Sequence, residues 1–246
     1  MEIEVVLLGT GVGIPVCGRV QAGLVVNADL PLIFDFGAGA LFRMNEAGFS
    51  PLQMDSLFLS HLHLDHVADV LPLAKARYLL GEEKLDIFGP SGTERWFFAA
   101  ESLYPYLELD VSVHELASGD AVFWKGFKIT AAEAIHSIPA LGYRVERESR
   151  SIVYSGDTEP SFSIAELARG GDLLIHECSF PEPYRVTNHT TPKRLGEVLK
   201  DVKRIVLTHL YPQTIGHEEE MVRDLRISMG ADIPVEIGHD LQRITL

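Results

Sequence analysis

The sequence predicts an α/β protein whose sheets are covered by helices, and three observations carry that prediction. Short β-rich runs alternate with helical periods along the whole chain. Gly, Pro, Asn and Asp bound most of the runs, and several apolar runs end abruptly in a His or an Asp. Opening strands are expected at 3–8, 24–28 and 32–36, the last closed by Asp35-Phe36-Gly37-Ala38-Gly39. A helix follows at 40–47, with Gly48 as its stop. The strand at 56–60 runs directly into a histidine cluster. Val67, Val70, Leu71, Ala74 and Tyr78 then fall at helical spacing, which predicts a helix over 67–80 with Pro72 in its first turns. A strand at 84–88 and a helix at 93–103 come next.

The second half keeps the rhythm. Strands are expected at 111–116, 127–134, 142–146, 152–155, 173–176 and 205–208, and helices at 163–169, 192–199 and 218–229. The similar halves suggest a duplicated layer, although no internal repeat is visible.

The chain has 246 residues, 46% of them hydrophobic, and no Pro/Gly/Ser-rich linker, so a single domain over residues 1–246 is expected. The start, Met1-Glu2-Ile3-Glu4-Val5, carries acids where a signal peptide carries basic residues. No apolar run approaches the ~20 residues that span a bilayer. Two cysteines, Cys17 and Cys178, make no disulfide framework. These features predict a cytoplasmic protein without membrane contact. A net charge of −14 disfavours a general nucleic-acid surface, because such affinity comes mostly from Lys and Arg neutralising phosphates. The basic run Lys193, Arg194, Lys200, Lys203 and Arg204 is expected to be a solvated face rather than a docking surface.

A metal site needs several ligands converging on one point. After the strand at 56–60 comes His61-Leu62-His63-Leu64-Asp65-His66. In an extended or tightly turning loop His61 and His63 can face one side, while Asp65 and His66 begin the next turn and face another. Paired imidazoles suit Zn²⁺, and an adjacent carboxylate and imidazole can begin a second site. Four residues cannot complete two shells, so partners must lie downstream. His136, Asp157 and His209 each follow an apolar strand and are the candidates.

The set His61, His63, Asp65, His66, His136, Asp157 and His209 resembles that of the metallo-β-lactamase fold hydrolases, over essentially the whole chain. The resemblance implies an αββα four-layer sandwich with the site at one edge of its sheets. It implies two divalent ions, zinc first, with manganese or iron also accommodated by the donor set. His61, His63 and His136 would hold one ion; Asp65, His66 and His209 the other; Asp157 would bridge both. A homodimer is a further implication.

The surroundings of the ligands resemble the phosphodiesterase branch, which includes ribonuclease Z and the cyclic phosphodiesterase of the carbon–phosphorus lyase pathway. His136 leads into Ser137-Ile138-Pro139-Ala140-Leu141-Gly142-Tyr143, and Asp157 sits in Ser155-Gly156-Asp157-Thr158. The His-Thr-Pro-Gly-His stretch usual in lactonases and thioesterases is absent. His176-Glu177-Cys178-Ser179-Phe180 and Asn188-His189-Thr190-Thr191 look like the pair of segments that place a second histidine, here His189, over the metals as a proton donor. His176, inside an apolar strand, reads as a core residue.

Two departures bear on the substrate. Ribonuclease Z carries a long arm that grips tRNA between the positions of His136 and Asp157, and here 21 positions hold only a strand, a turn and a strand. The Ser-x-Arg-Tyr that often follows its last histidine is replaced by Leu210-Tyr211-Pro212. The structural cysteines of the carbon–phosphorus lyase enzyme are missing as well. The expected substrate is therefore a small phosphodiester, cyclic ones included, cleaved by a hydroxide held between the metals. Asp65 would orient that hydroxide and His189 would protonate the leaving alkoxide. The alternatives are a carboxylic ester, lactone or thioester hydrolase, or an arm-less ribonuclease Z-like nuclease for RNA 3′ ends. A redox di-iron protein is disfavoured because His63 stands where such proteins have Glu.

Overall fold

The computed structural model describes residues 2–82, 84–107 and 109–246. The chain runs β1 (Glu4–Gly9), β2 (Gly23–Asn27), β3 (Leu32–Phe36), α1 (Ala40–Glu46), β4 (Ser56–Phe58), α2 (Leu64–Val67) and α3 (Val70–Leu79). Next come β5 (Lys84–Gly89), α4 (Thr93–Glu101), β6 (Asp110–Glu115), β7 (Ala121–Trp124), β8 (Phe127–Glu133), β9 (Leu141–Arg147) and β10 (Arg150–Tyr154). It ends with α5 (Phe162–Ala168), β11 (Leu173–Glu177), α6 (Pro192–Val198), β12 (Ile205–Thr208), α7 (Glu218–Met229), β13 (Val235–Ile237) and β14 (Arg243–Thr245).

These elements form two compact units, Met1–Leu116 with Asp240–Leu246, and Ala117–His239. The first unit holds a seven-stranded sheet in the order β14-β1-β2-β3-β4-β5-β6. Its pairs are antiparallel from β14 to β3 and parallel from β3 to β6. Side chains alternate across a strand, so Val6, Leu8, Val25, Ile33, Leu57 and Ile87 share one face. Ala40 and Met44 of α1, Val70, Leu73 and Ala74 of α3 and Phe97 of α4 pack in the same core cluster as these residues. On the other face the Phe34, Phe58 and Phe88 rings stack in sequence, 5.2 and 4.5 Å apart. Burial on both faces is why β3 opens with the apolar run Leu32-Ile33-Phe34 rather than an alternation.

The second unit repeats this plan, with strand order β13-β12-β11-β10-β9-β8-β7. Antiparallel pairs run from β7 to β10 and parallel pairs from β10 to β13. Ala165 and Ala168 of α5, Leu195 of α6, and Met221 and Leu225 of α7 form one core with Val153, Leu174, Ile205 and Leu207. Each unit thus supplies a sheet and helices of the kind the α/β expectation requires. Among the described residues, no helix is long and apolar enough to cross a membrane.

Strand direction places the chemistry. Strands β1, β3 and β4 run the same way, and so do β8, β10, β11 and β12. Within each unit the segments that follow them therefore emerge at one edge of the sheet, where open α/β sheets bind ligands. In the first unit those segments carry Thr10, Gly37 and Ser60. In the second they carry His136, Asp157, Ser179 and His209.

The structure departs from expectation in a few places. The helix foreseen over 67–80 is two pieces, α2 and α3, because Asp69 leaves the helical path at φ −92° and ψ 4°. Its N–H donates to the Phe36 carbonyl at 2.9 Å. Its carboxylate accepts from Gly39 N at 2.9 Å and Leu41 N at 3.0 Å. Helix α1 follows Gly39 and has no side-chain cap of its own, so Asp69 supplies that cap from a distance. The short strands β7, β13 and β14 go beyond the expectation. Four of the five residues of the basic run are paired: Lys193 with Asp224, Arg194 with Glu159, Lys203 with Asp172 and Arg204 with Glu236.

Replacing Asp69 by Ala leaves two helix-terminal N–H groups without their acceptor, and should cost roughly 1–2 kcal/mol. Urea unfolding measures this, with Asp69→Asn expected to keep most of the stability because its amide oxygen still accepts.

Candidate metal centre

The first unit holds four of the predicted ligands, organised by one buried carboxylate. Asp35, with no exposed surface, is the next-to-last residue of β3 and stands at φ 53°, a left-handed conformation that Asp tolerates better than most residues. It accepts from Ser60 N at 2.7 Å, from Ser60 Oγ at 2.6 Å and from His66 Nδ1 at 2.7 Å. The Ser60 hydroxyl, having donated to Asp35, accepts from His61 Nδ1 at 2.9 Å. Both imidazoles thus carry their proton on Nδ1, and Nε2 bears the lone pair. His61 Nε2 lies 3.1 Å from His63 Nδ1, and the His61 and His66 ring centres are 4.1 Å apart.

Asp65 stands on α2, where its Oδ2 accepts from Gly13 N at 2.9 Å. The segment carrying Gly13 is clamped at both ends by Asp240, which accepts from Thr10 N, Thr10 Oγ1 and Val20 N at 3.0, 2.8 and 2.7 Å. Helix α2 comes so close to Gly37 that a Cβ there would lie 2.0 Å from the Asp65 carbonyl oxygen. That contact explains the glycine after β3.

The second unit uses the same device. Glu177, fully buried at the end of β11, accepts from Ser179 Oγ at 2.8 Å, Ser179 N at 3.1 Å and Thr158 N at 3.3 Å. It also accepts from His189 Nδ1 at 3.2 Å. Ser179 Oγ, spent as a donor, accepts from His209 Nδ1 at 3.1 Å. His209 turns at φ 56° just after β12 and brings Nε2 to 3.2 Å from Asp157 Oδ2. Asp157, His189 and His209 each offer a ligand atom, all within 4.8 Å of one another.

His136, beyond the end of β8, donates from Nδ1 to the Asn188 carbonyl at 2.9 Å. Asn188 sits at φ 65° and its N–H donates to Glu159 at 2.9 Å. That N–H holds the Glu159 carboxyl below the usual range; burial opposes the shift and Arg194 adds to it. His176 is a core residue: its Nδ1 donates to the Glu177 carbonyl at 2.6 Å, and burial pushes its pKa down.

Sequence reasoning named the ligand-type residues but assigned no role to Ser60, Glu177, Ser179 or Tyr211. A glutamate inside the wholly buried strand Leu173–Glu177 was the available signal, since buried acids are rare unless paired. The donor set suits a divalent ion. His61, His66, His136 and His209 are tied at Nδ1, an arrangement that orients a histidine ligand and sets its tautomer. Asp65 and Asp157 add carboxylates. No thiolate competes, because burial pushes the Cys178 thiol well above its usual range and Cys17 is exposed. Nitrogen and oxygen donors of this kind accept zinc, manganese or iron alike.

Strand-end imidazoles and carboxylates, oriented by buried acids, define a metal-dependent hydrolase. Residues 34–210 match the Beta-lactamase superfamily domain, and the chain belongs to that superfamily, with its metallo-β-lactamase fold. A protein named ribonuclease Z from Methanothermobacter thermautotrophicus is 28% identical over 265 aligned positions, covering 85% of this chain and 86% of its own. Since 85% of 246 residues is about 209, some 56 of those positions in the relative have no counterpart here. Among solved structures, the metallo-β-lactamase fold protein YhfI from Bacillus subtilis superposes with a TM-score of 0.87 at 22% identity, covering 100% of this chain and 99% of its own. A diphosphatase of the PhnP family gives 0.73 at 20% identity, covering 100% and 98%.

Asp35→Asn keeps a residue suited to positive φ but weakens the hold on His61 and His66. Zinc affinity, measured by competition with a chelator, should fall roughly 10- to 100-fold. Wild-type affinity would remove Asp35 as the organiser of these histidines.

Proposed function

We propose that His61, His63 and His136 hold one divalent ion, that Asp65, His66 and His209 hold a second, and that Asp157 bridges them within one catalytic domain over residues 1–246. The observation that carries this reading is the tethering of Nδ1 in His61, His66, His136 and His209, which turns each Nε2 into a ligand atom. Bound ions would lower the pKa of a coordinated water from 15.7 to roughly 7 and withdraw charge from phosphoryl oxygens. Asp65, fixed by the Gly13 N–H, orients the nucleophile. His189, held at Nδ1 by Glu177, delivers a proton to the leaving oxygen.

The substrate of this reading is a small phosphodiester, cyclic ones included. Between His136 and Asp157 the chain forms only the hairpin of β9 and β10, which leaves nothing to grip a folded RNA. The four ion pairs of the basic run and the net charge of −14 point the same way, and stable nucleic-acid binding is not expected. The relatives named ribonuclease Z favour a second reading, RNA 3′ processing without the arm. A carboxylic ester, lactone or thioester hydrolase is a third.

A substrate panel run with Zn²⁺ and Mn²⁺ separates these readings: cyclic mononucleotides, an aryl phosphodiester, a tRNA precursor and a lactone. The small phosphodiesters should be turned over fastest. Preference for the tRNA precursor or the lactone would overturn the proposal in favour of the corresponding alternative.

His189→Ala should lower turnover of a phosphodiester with a poor leaving group about 10²- to 10⁴-fold, with metal content unchanged. Loss of metal would make His189 a ligand instead of a proton donor. Asp157→Ala should lose metal from both positions, read by elemental analysis; retention of two ions would remove Asp157 as the bridge.

A further inference from the structure

Leu210-Tyr211-Pro212 follows the last ligand, and the chemistry above gives it no task. Tyr211 is nevertheless held closely. Its backbone N–H donates to the Ser179 carbonyl at 3.3 Å. Its ring lies against Phe180, with centres 4.5 Å apart and planes 29° from parallel. Tyr184 packs on the same Phe180 at 5.6 Å. So seated, the Tyr211 hydroxyl reaches His189 Nε2 at 3.3 Å.

The direction of that bond follows from the other end of the imidazole. Glu177 accepts from His189 Nδ1, so in the neutral ring Nε2 accepts from the Tyr211 O–H; in the protonated ring that proton delivery requires, Nε2–H donates to the Tyr211 oxygen, and the contact holds in both states. Glu177 and Tyr211 thus pin the same ring from opposite sides, with His209 stacked alongside at 5.4 Å. One hydrogen bond leaves an imidazole free to pivot about it, whereas two fix its plane. Proton delivery needs the active nitrogen within about 0.5 Å and 10–20° of its productive position.

We propose that Tyr211 is a positioning residue that acts through His189, holding Nε2 where it meets the leaving oxygen. This role rests on the phosphodiesterase reading above. Phe180 is the buttress that sets the tyrosine, so the order of action runs from Phe180 to Tyr211 to His189.

The test is Tyr211→Phe in the zinc-loaded protein, which keeps the stack on Phe180 and removes only the hydroxyl. Loss of one neutral hydrogen bond should lower kcat roughly 2- to 10-fold at unchanged KM, melting temperature and zinc content. In a His189→Ala background the same change should have no further effect, because two residues acting as one unit are not additive. Nitrogen-15 NMR of the zinc-loaded protein gives a readout that needs no turnover: the His189 Nε2 resonance should move in Tyr211→Phe. A resonance that moves without any phosphodiester turnover would sink the substrate reading while keeping the contact. An unmoved resonance with unchanged kcat would overturn the proposal. So would an equal loss in both backgrounds, which means Tyr211 acts without His189, or a loss of zinc, which means it supports a ligand.

Discussion

In each unit the ligand-type histidines depend on one carboxylate that has been taken out of water. Burying an ionised acid is costly unless donors surround it. Asp35 meets that cost with Ser60 and His66, and Glu177 with Ser179, Thr158 and His189. The donors that compensate each acid are the groups that orient the histidines. Stabilising the buried charge and aligning the ligands are therefore one act. In both units a serine hydroxyl stands between the acid and a second imidazole, so a single carboxylate governs two rings.

This arrangement is possible because each acid sits at the end of a central strand. Asp35 is the next-to-last residue of β3, where the register shifts, and Glu177 is the last of β11; both strands have neighbours on either side. Their backbones are tied by ladders, and their flanks are packed by the helices of the same unit. A residue at the end of such a strand, or left unpaired by a register shift as Asp35 is, can turn a polar group out of the apolar layer with little disruption of the ladder. The left-handed conformations at Asp35 and His209 are the local cost of that turn. The packed strands behind them are what keep those conformations in place.

Much of this was legible in the sequence. The ligand-type residues were visible because each interrupts or follows an apolar run, and periodicity marks a run clearly. The helices and the longer strands were legible for the same reason. What escaped notice acts through hydrogen-bond direction, which no one-dimensional pattern records. Ser60 and Ser179 look like ordinary loop serines, and Glu177 resembles a charged strand end. The break at Asp69 was hidden too, because Val67, Val70, Leu71 and Ala74 keep helical spacing across it while a remote helix, α1, claims its carboxylate. The register of an apolar face says nothing about where the backbone under it leaves the helix.

Substrate scope belongs to a different layer of the molecule. The ligand-type residues stand at strand ends, which tolerate little change, whereas the reach of such a site is set by the segments between them. This chain is 28% identical to a relative named ribonuclease Z over 265 aligned positions yet lacks some 56 of those positions. Its His136-to-Asp157 connection is a plain hairpin, and Lys193, Arg194, Lys203 and Arg204 are engaged with acids of their own unit. Beside His189 it has a short aromatic group in which Tyr184 packs on Phe180, Phe180 on Tyr211, and the Tyr211 hydroxyl reaches the imidazole. A large substrate held by a distant arm arrives already oriented, and the site can leave its proton donor comparatively loose. A small one brings no such anchorage. The orientation must then come from the site itself, and a histidine pinned at both nitrogens is one way to supply it.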